Sequence, residues 1–439
     1  MERAGTPTRM PPPSPLRGRE LLHRLCQIAP LPLEGKGRER RWAALATCLL
    51  LTLASPALAS PFSDFLKALE PTALAAGITA ATYESATAGL EPDPNIPNLV
   101  TTQPEFDTPI WDYVDLRASD SRTTHGRAAM AANKPAFDTV AKRYGVDPAI
   151  LGAIWGIETN YGSVLGNTKL IRPIIPSLAT LVFEKRSRYA LDIQDFIAAL
   201  LLVQRGPLDA QSLVGSWAGA IGHLQVNPLS VVKYGRDGDG DGKIDLDHSL
   251  PDALATSANF LLGLGYRPGI DWGYEVTLPT GFDYLLADRE NPRPVKFFAD
   301  RGVTRANGLP FPDASVPVFL YVPAGKTGPK FLMTPNYTVL KGYNTSDSYA
   351  LAVAHLADRL KGSGDFVSPW PRDTKFPNLA QRHAIQDALI KLGLLKGTSD
   401  GRLGPVTQRA YARYQAAHGE VADGFLTLAA YQELMAATQ

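Results

Sequence analysis

The chain has 439 residues, 45% of them hydrophobic and 20% charged, enough for about two or three domains with a real buried core. Its net charge of +1 is unevenly spread: residues 1–59 hold nine Lys and Arg against four Asp and Glu, and taking that +5 from the total leaves −4. A remainder without basic bias argues against nucleic acid as the main partner.

The first 59 residues read as a processed leader. Arg38, Arg40 and Arg41 precede the apolar run AALATCLLLTLA, and SPALA offers a small-residue cleavage site after Ala59. The run is shorter than the roughly 20 apolar residues that span a bilayer. The segment before it is longer than an ordinary signal n-region, which points to a start codon placed too early. Cys48 invites a lipoprotein reading, but the apolar run continues past it where a lipid-bearing cysteine should end it. Cys26 and Cys48 both lie in the leader, so the processed chain has no disulfide or thiol chemistry. Export without disulfides suits a bacterial envelope enzyme in the periplasm.

After the leader, residues 60–105 mix helical pattern with the Pro/Asn-rich EPDPNIPN. A helix through FDTVAKRYG should stop at Gly145, and VDPAILGAIWGIE should start the next with Asp147 as N-cap and Pro148 at its first position. Further helices are expected over 188–204, in DALATSANFLLGL and over 346–360, with Ser346 as a cap. Residues 266–330 are punctuated by Pro and Gly and suit small strands. Residues 363–376, GSGDFVSPWPRDTKF with its neighbouring glycine, read as a linker between a unit at 60–362 and a small unit at 377–439.

Four stretches have chemical content. The first is IWGIETNYG, where Glu158 ends a helix apolar on nearly every side. Burial there would raise its pKa and keep it protonated, as an acid that donates to a leaving glycosidic oxygen must be. Taken alone, a Glu at a helix end is more often a cap or solvated. The second is GSWAGAIGHLQVNP, whose glycines allow close backbone approach and whose Ser216 and Gln225 can hydrogen-bond a sugar; tight helix packing or a plain turn reads equally well. The third, DGDGDGKIDLD, sets Asp237, Asp239 and Asp241 at positions 1, 3 and 5 of a calcium loop, with Gly242 at 6, the Lys243 carbonyl at 7 and Asp245 at 9. Position 12 is His248 rather than Glu, so the closing carboxylate is Asp247 or Asp252. The expected ion is a structural Ca2+; none is expected for catalysis. The fourth, GYNTSDSYALAVAHL, places Asn344 and Tyr349 at the start of a helix, where alone they read as a cap and a core aromatic. The histidines do not cluster as zinc ligands, and neither a GxSxG elbow nor a phosphate loop is present.

These stretches, in this order over about residues 62–362, resemble the B-type lytic murein transglycosylases. The resemblance implies a mainly α, lysozyme-like catalytic domain with small β elements around a glycan groove. It implies cleavage of the β-1,4 bond between N-acetylmuramic acid and N-acetylglucosamine in peptidoglycan. Carried over motif by motif, Glu158 becomes the acid and then the base. Ser216, Gln225, Asn344 and Tyr349 become groove contacts. Asp237, Asp239, Asp241 and the Lys243 carbonyl become cation ligands, with Asp252 as the closing one. Arg186 and Arg188 lie where basic residues would meet stem-peptide carboxylates. The family route needs no second carboxylate, because the muramic 6-hydroxyl is the nucleophile. Three departures stand out: Leu224 where glycine is common, Phe260 where tyrosine is common, and one extra residue between Asp245 and Asp252. The tail IQDALIKLGLLKGTSDGRLGPVTQRAYARYQAAHGEVADG resembles a three-helix peptidoglycan-binding domain, in which Gly404 and Thr407 set a turn, Tyr411 and Tyr414 are core, and the whole raises local concentration at the wall. The implied partners are glycan strands, with peripheral envelope association and a monomeric state. A hydrolytic muramidase on the same scaffold and a non-catalytic wall-binding protein are the competing readings.

Overall fold

The computed structural model describes residues 60–101, 108–185, 188–206 and 208–438. The leader and Arg186 lie outside the described residues. The architecture is mainly helical with two small sheets. Among the described residues no helix is long and apolar enough to cross a membrane.

The central element is the helix Pro148–Thr159. Asp147 caps it, its carboxylate accepting from the Ala149 amide at 2.8 Å, and Pro148 opens it as the sequence requires. The preceding helix, Lys134–Tyr144, stops at Gly145 in the left-handed conformation (φ 68°). A helix apolar on all sides must be surrounded. Ile150, Leu151, Ile154, Trp155 and Ile157 are all buried, and the long helix Asp347–Lys361 packs along it. That second helix is capped by Ser346, whose hydroxyl accepts from the Tyr349 amide.

Residues 266–334 carry a five-stranded antiparallel sheet. Its strands are β3 (Gly273–Thr277), β4 (Arg293–Pro294), β5 (Thr304–Arg305), β6 (Pro317–Tyr321) and β7 (Lys330–Met333), in the order β4-β6-β7-β3-β5. Tyr274, Val276, Phe298, Val318 and Leu320 give it a core of its own. A two-stranded ladder, β1 (Arg172–Pro173) with β2 (Val214–Gly215), ties down the start of the glycine-rich loop.

The C-terminal unit is three helices, Leu379–Lys391, Pro405–Ala417 and Leu428–Thr438, around Ile385, Leu389, Tyr411, Tyr414 and Leu434. Gly404 caps the second helix, and Tyr411 and Tyr414 stack within the core. Residues 363–376, expected as a linker, pack as a strap on the catalytic unit. Phe366 stacks on buried His355 (ring centroids 4.1 Å apart), Trp370 packs on Trp111, and the Val367 and Ser368 amides donate to Glu275 at 2.8 Å. The strap's large apolar residues, Phe366 and Trp370, hold it down despite the Gly, Ser and Pro between them. The C-terminal unit also docks on the sheet region, with Arg409 paired to Asp288 (3.1 Å) and Glu290 (3.6 Å).

Candidate active site

Each residue of Glu-Thr-Asn-Tyr-Gly has a structural reason. Glu158 is half-buried at the end of its helix, where the sequence suggested deeper burial. The chain then turns sharply, with Asn160, Tyr161 and Gly162 all at positive φ (49°, 60° and 82°). Two consecutive non-glycine residues there are strained, so packing must hold them. The Tyr161 ring supplies it. It fills a slot between helices that exists because positions 126 and 156 are glycine; a Cβ at Gly126 would lie 2.1 Å from the Tyr161 hydroxyl, and one at Gly156 2.5 Å from the ring. Trp155 closes the slot edge-on, its ring centroid 5.4 Å away. Thr159 locks the turn, its hydroxyl accepting from the Gly162 amide at 3.1 Å and donating to the His223 carbonyl at 2.7 Å.

That last bond hangs the glycine-rich loop beside Glu158. The Leu224 carbonyl accepts from the Tyr343 hydroxyl at 2.7 Å, and the Gly222 carbonyl from the Gln225 side chain at 2.9 Å. Gln225 itself sits at φ 50°. Ser216 lies in the same loop, half-buried, its hydroxyl accepting from the Ala220 amide. Trp155 donates its indole N–H to His223 Nδ1 at 3.0 Å, and burial holds that imidazole below its ordinary pKa.

The helix Asp347–Lys361 brings the partner of Glu158. The Tyr349 hydroxyl donates to Glu158 Oε1 at 2.6 Å. Burial, then the Glu158 charge, push the Tyr349 phenol well above its ordinary pKa, so it is a donor at every working pH. Asn344 ends the helix Pro335–Tyr343, half-buried, its side chain accepting from the Ser346 amide. Tyr343, which sequence reasoning passed over, bonds Leu224 and the Ser257 hydroxyl and lies within electrostatic range of Glu158. Its signal was its place directly before Asn344. Phe260, where a tyrosine was noted as common, packs between Tyr234 and Tyr343. Arg188 is exposed at the start of the helix Tyr189–Arg205, and its charge acts on Asp195. The structure does not join it to the Glu158 cluster.

The acidic loop is a separate construction. Asp237 and Asp239 converge with buried Asp252, each offering an oxygen within 4.8 Å of the others. Asp252 is 1% exposed and accepts from the amides of Gly238 (2.7 Å), Asp239 (3.4 Å) and Asp245 (2.8 Å). Asp237 accepts from Gly242 and Gly240, which holds its carboxyl below the usual range. Asp241 and Lys243 are exposed, the Asp241 carboxylate is not part of this convergence, and Asp241 accepts from the Lys243 amide. Asp247, the other candidate for closing the loop, turns toward the Gly222 backbone; burial, then Asp245, raise its pKa to about 6. The two loops touch there, since the His223 amide donates to the Leu246 carbonyl at 2.9 Å.

A half-buried carboxyl at a helix end, under a tyrosine hydroxyl and beside a glycine-rich loop, is a lysozyme-like arrangement. The transglycosylase SLT domain family model matches residues 61–358 and a peptidoglycan binding domain model matches residues 378–434. The chain belongs to the transglycosylase SLT domain family. It is 31% identical over 218 residues to the membrane-bound lytic murein transglycosylase B of Escherichia coli (strain K12). That match covers 48% of this chain and 56% of the relative, so the chain spans about half of that protein's length. It is 39% identical to SltB3 from Pseudomonas aeruginosa, solved in complex with NAG-anhNAM-pentapeptide and with NAG-NAM-pentapeptide. In both comparisons the TM-score is 0.79, over 85% of this chain and 99% of the solved one.

Proposed function

We propose that the protein is a peptidoglycan lytic transglycosylase. It cleaves the β-1,4 bond between N-acetylmuramic acid and N-acetylglucosamine without consuming water, leaving a 1,6-anhydromuramic end. The observation that carries this reading is the Tyr349–Glu158 pair at 2.6 Å, set beside the loop that holds Ser216 and Gln225. The relative solved with an anhydro-muramyl pentapeptide supports the chemistry.

In this reading Glu158, as the acid, gives its proton to the leaving glycosidic oxygen as the C1–O4 bond breaks. As the carboxylate it then takes the proton of the muramic 6-hydroxyl while O6 bonds to C1. One proton moves from O6 to O4 and nothing is added. Tyr349 fixes the carboxyl rotamer and stabilises its charged form between the two steps. Gln225, Ser216 and Asn344 line the groove as polar contacts, and Arg188 meets stem-peptide carboxylates further out. The Tyr161 slot makes the carboxyl's position rigid, which matters because misplacement by about 1 Å is costly.

Asp237, Asp239 and Asp252 are proposed to hold a Ca2+ ion whose role is structural. Their convergence supports this, and hard oxygen donors suit the ion. Addition of Ca2+ should raise the melting temperature and a chelator should lower it, with both effects gone in Asp237→Asn. The setting is the periplasm, with the leader removed near Ala59, peripheral contact with the envelope and a monomeric enzyme. Mass spectrometry of fragments released from purified sacculi tests the function. Products one water lighter than muramidase products support it, and hydrated reducing ends refute it.

A further inference from the structure

The C-terminal unit contains the same turn twice. Asp400-Gly401-Arg402-Leu403 follows the first of its helices and Asp423-Gly424-Phe425-Leu426 the second. Both glycines are left-handed, at φ 71° and 66°. In each, a glutamine from the preceding helix reads the turn with the same bonds. Gln386 accepts from the Gly401 amide (2.7 Å) and donates to Asp400 Oδ1 (2.8 Å); Gln415 accepts from the Gly424 amide (2.8 Å) and donates to Asp423 Oδ1 (3.1 Å). The third bond repeats as well, Arg402 N–H to Asp400 Oδ1 at 2.9 Å and Phe425 N–H to Asp423 Oδ1 at 3.1 Å. Each carboxylate is thus held rigidly by one oxygen and presents the other outward.

The two turns differ in what meets that outward oxygen. Asp423 Oδ2 accepts a peptide N–H, that of Lys326 in the catalytic unit, at 2.9 Å. Gly325 lies flat against the turn; a side chain there would begin 2.9 Å from both Asp423 Oδ2 and Phe425. The second turn is therefore seen binding a backbone segment. The first turn is exposed at Asp400 and Arg402, and among the described residues no donor reaches Asp400 Oδ2. Where the occupied turn has Phe425, the open one has Arg402, so the same backbone-reading device is paired with a cation.

We propose that the Asp400–Leu403 turn is the ligand-binding point of the C-terminal unit and takes the stem peptide of peptidoglycan. Asp400 Oδ2 accepts a peptide N–H as Asp423 does from Lys326, and Arg402 pairs with a neighbouring peptide carboxylate. The inference rests on the wall polymer being the substrate, and it adds which part of the polymer the unit reads.

The test uses the full chain carrying Glu158→Gln, so that the wall is not digested, and measures its affinity for intact sacculi and for peptide-free glycan strands. Asp400→Asn keeps the oxygen that Gln386 and Arg402 hold and replaces the outward acceptor with a donor, so the turn survives. Arg402→Ala removes an exposed side chain whose hydrogen bond to the turn comes from its backbone, while its charge acts on Asp400 without a hydrogen bond to it. Each should weaken binding to intact sacculi about tenfold, the worth of one charged hydrogen bond, and leave binding to peptide-free strands unchanged. Lys396→Ala, exposed in the same unit, should change neither. Parental affinity of both turn variants for sacculi would overturn the proposal. Equal weakening on peptide-free strands would also overturn it, naming a glycan acetamido group as the ligand. A parent that binds neither material would sink the wall-polymer reading itself.

Discussion

Glu158 and Asp252 are both buried or half-buried carboxylates beside glycine-rich loops, and they are held in opposite ways. Asp252 accepts three backbone amides, from Gly238, Asp239 and Asp245, donors that cannot leave without unfolding the loop. Glu158 takes a side-chain hydroxyl from Tyr349. Fixed backbone donors suit a permanent charge, while a rotatable hydroxyl lets a carboxyl exchange its proton and regain its place. Residue type and burial alone do not separate these two carboxylates; the donors seen on them fit the roles proposed for each, a structural acid at Asp252 and a reacting one at Glu158.

The comparison can be broken at either end. Glu158→Gln keeps the shape and removes the proton exchange. Product release from sacculi should fall about a thousandfold, the middle of the range for general acid–base work, with an unchanged melting curve. A variant keeping a tenth of parental activity would show that the acid lies elsewhere. Asp252→Ala should do the reverse in kind. It leaves buried amides without an acceptor and should cost about 4 kcal/mol in urea unfolding. A loss below about 1 kcal/mol would mean that those amides have other partners.

His355 sharpens the contrast as a buried titratable group held mainly by stacking on Phe366 of the strap. Burial, then Arg359, push its pKa from 6.5 down to about 4, with Asp365 opposing. The unfolded chain therefore binds the proton more readily between these values. His355's contribution is full above pH 6.5 and is lost as the pH falls toward 4, by about 3 kcal/mol. His355→Leu should flatten that part of the stability profile relative to the parent; parallel profiles would refute it. The smallest effect is expected for Tyr349→Phe. Its loss of the bond to Glu158 should lower kcat about tenfold and stability by about 1 kcal/mol, leaving KM nearly unchanged. A change in KM alone would make Tyr349 a groove contact and no more.

What could be read from sequence was what local chemistry decides. Asp147, Gly145 and Ser346 cap their helices and Pro148 opens its own, because helix ends are settled within a few residues. The place of Glu158 at a helix end followed for the same reason. The Tyr161 slot was invisible, since it depends on Gly126 from another helix. Tyr343 was missed because its bond to Leu224 spans distant segments. The small strands expected over 266–330 are present, but their joining into one five-stranded sheet was not legible, because two of them have only two residues and pairing between distant segments defines them; the packing of the strap was masked by its glycines and prolines.

The central claim is that Glu158 serves a reaction that consumes no water. It is tested most directly by digesting sacculi with the parent enzyme in heavy-oxygen water and weighing the released muropeptides. The account predicts anhydro products that carry no heavy oxygen, and no such products from Glu158→Gln. Heavy oxygen at the muramic reducing end would contradict it and make the protein a hydrolase.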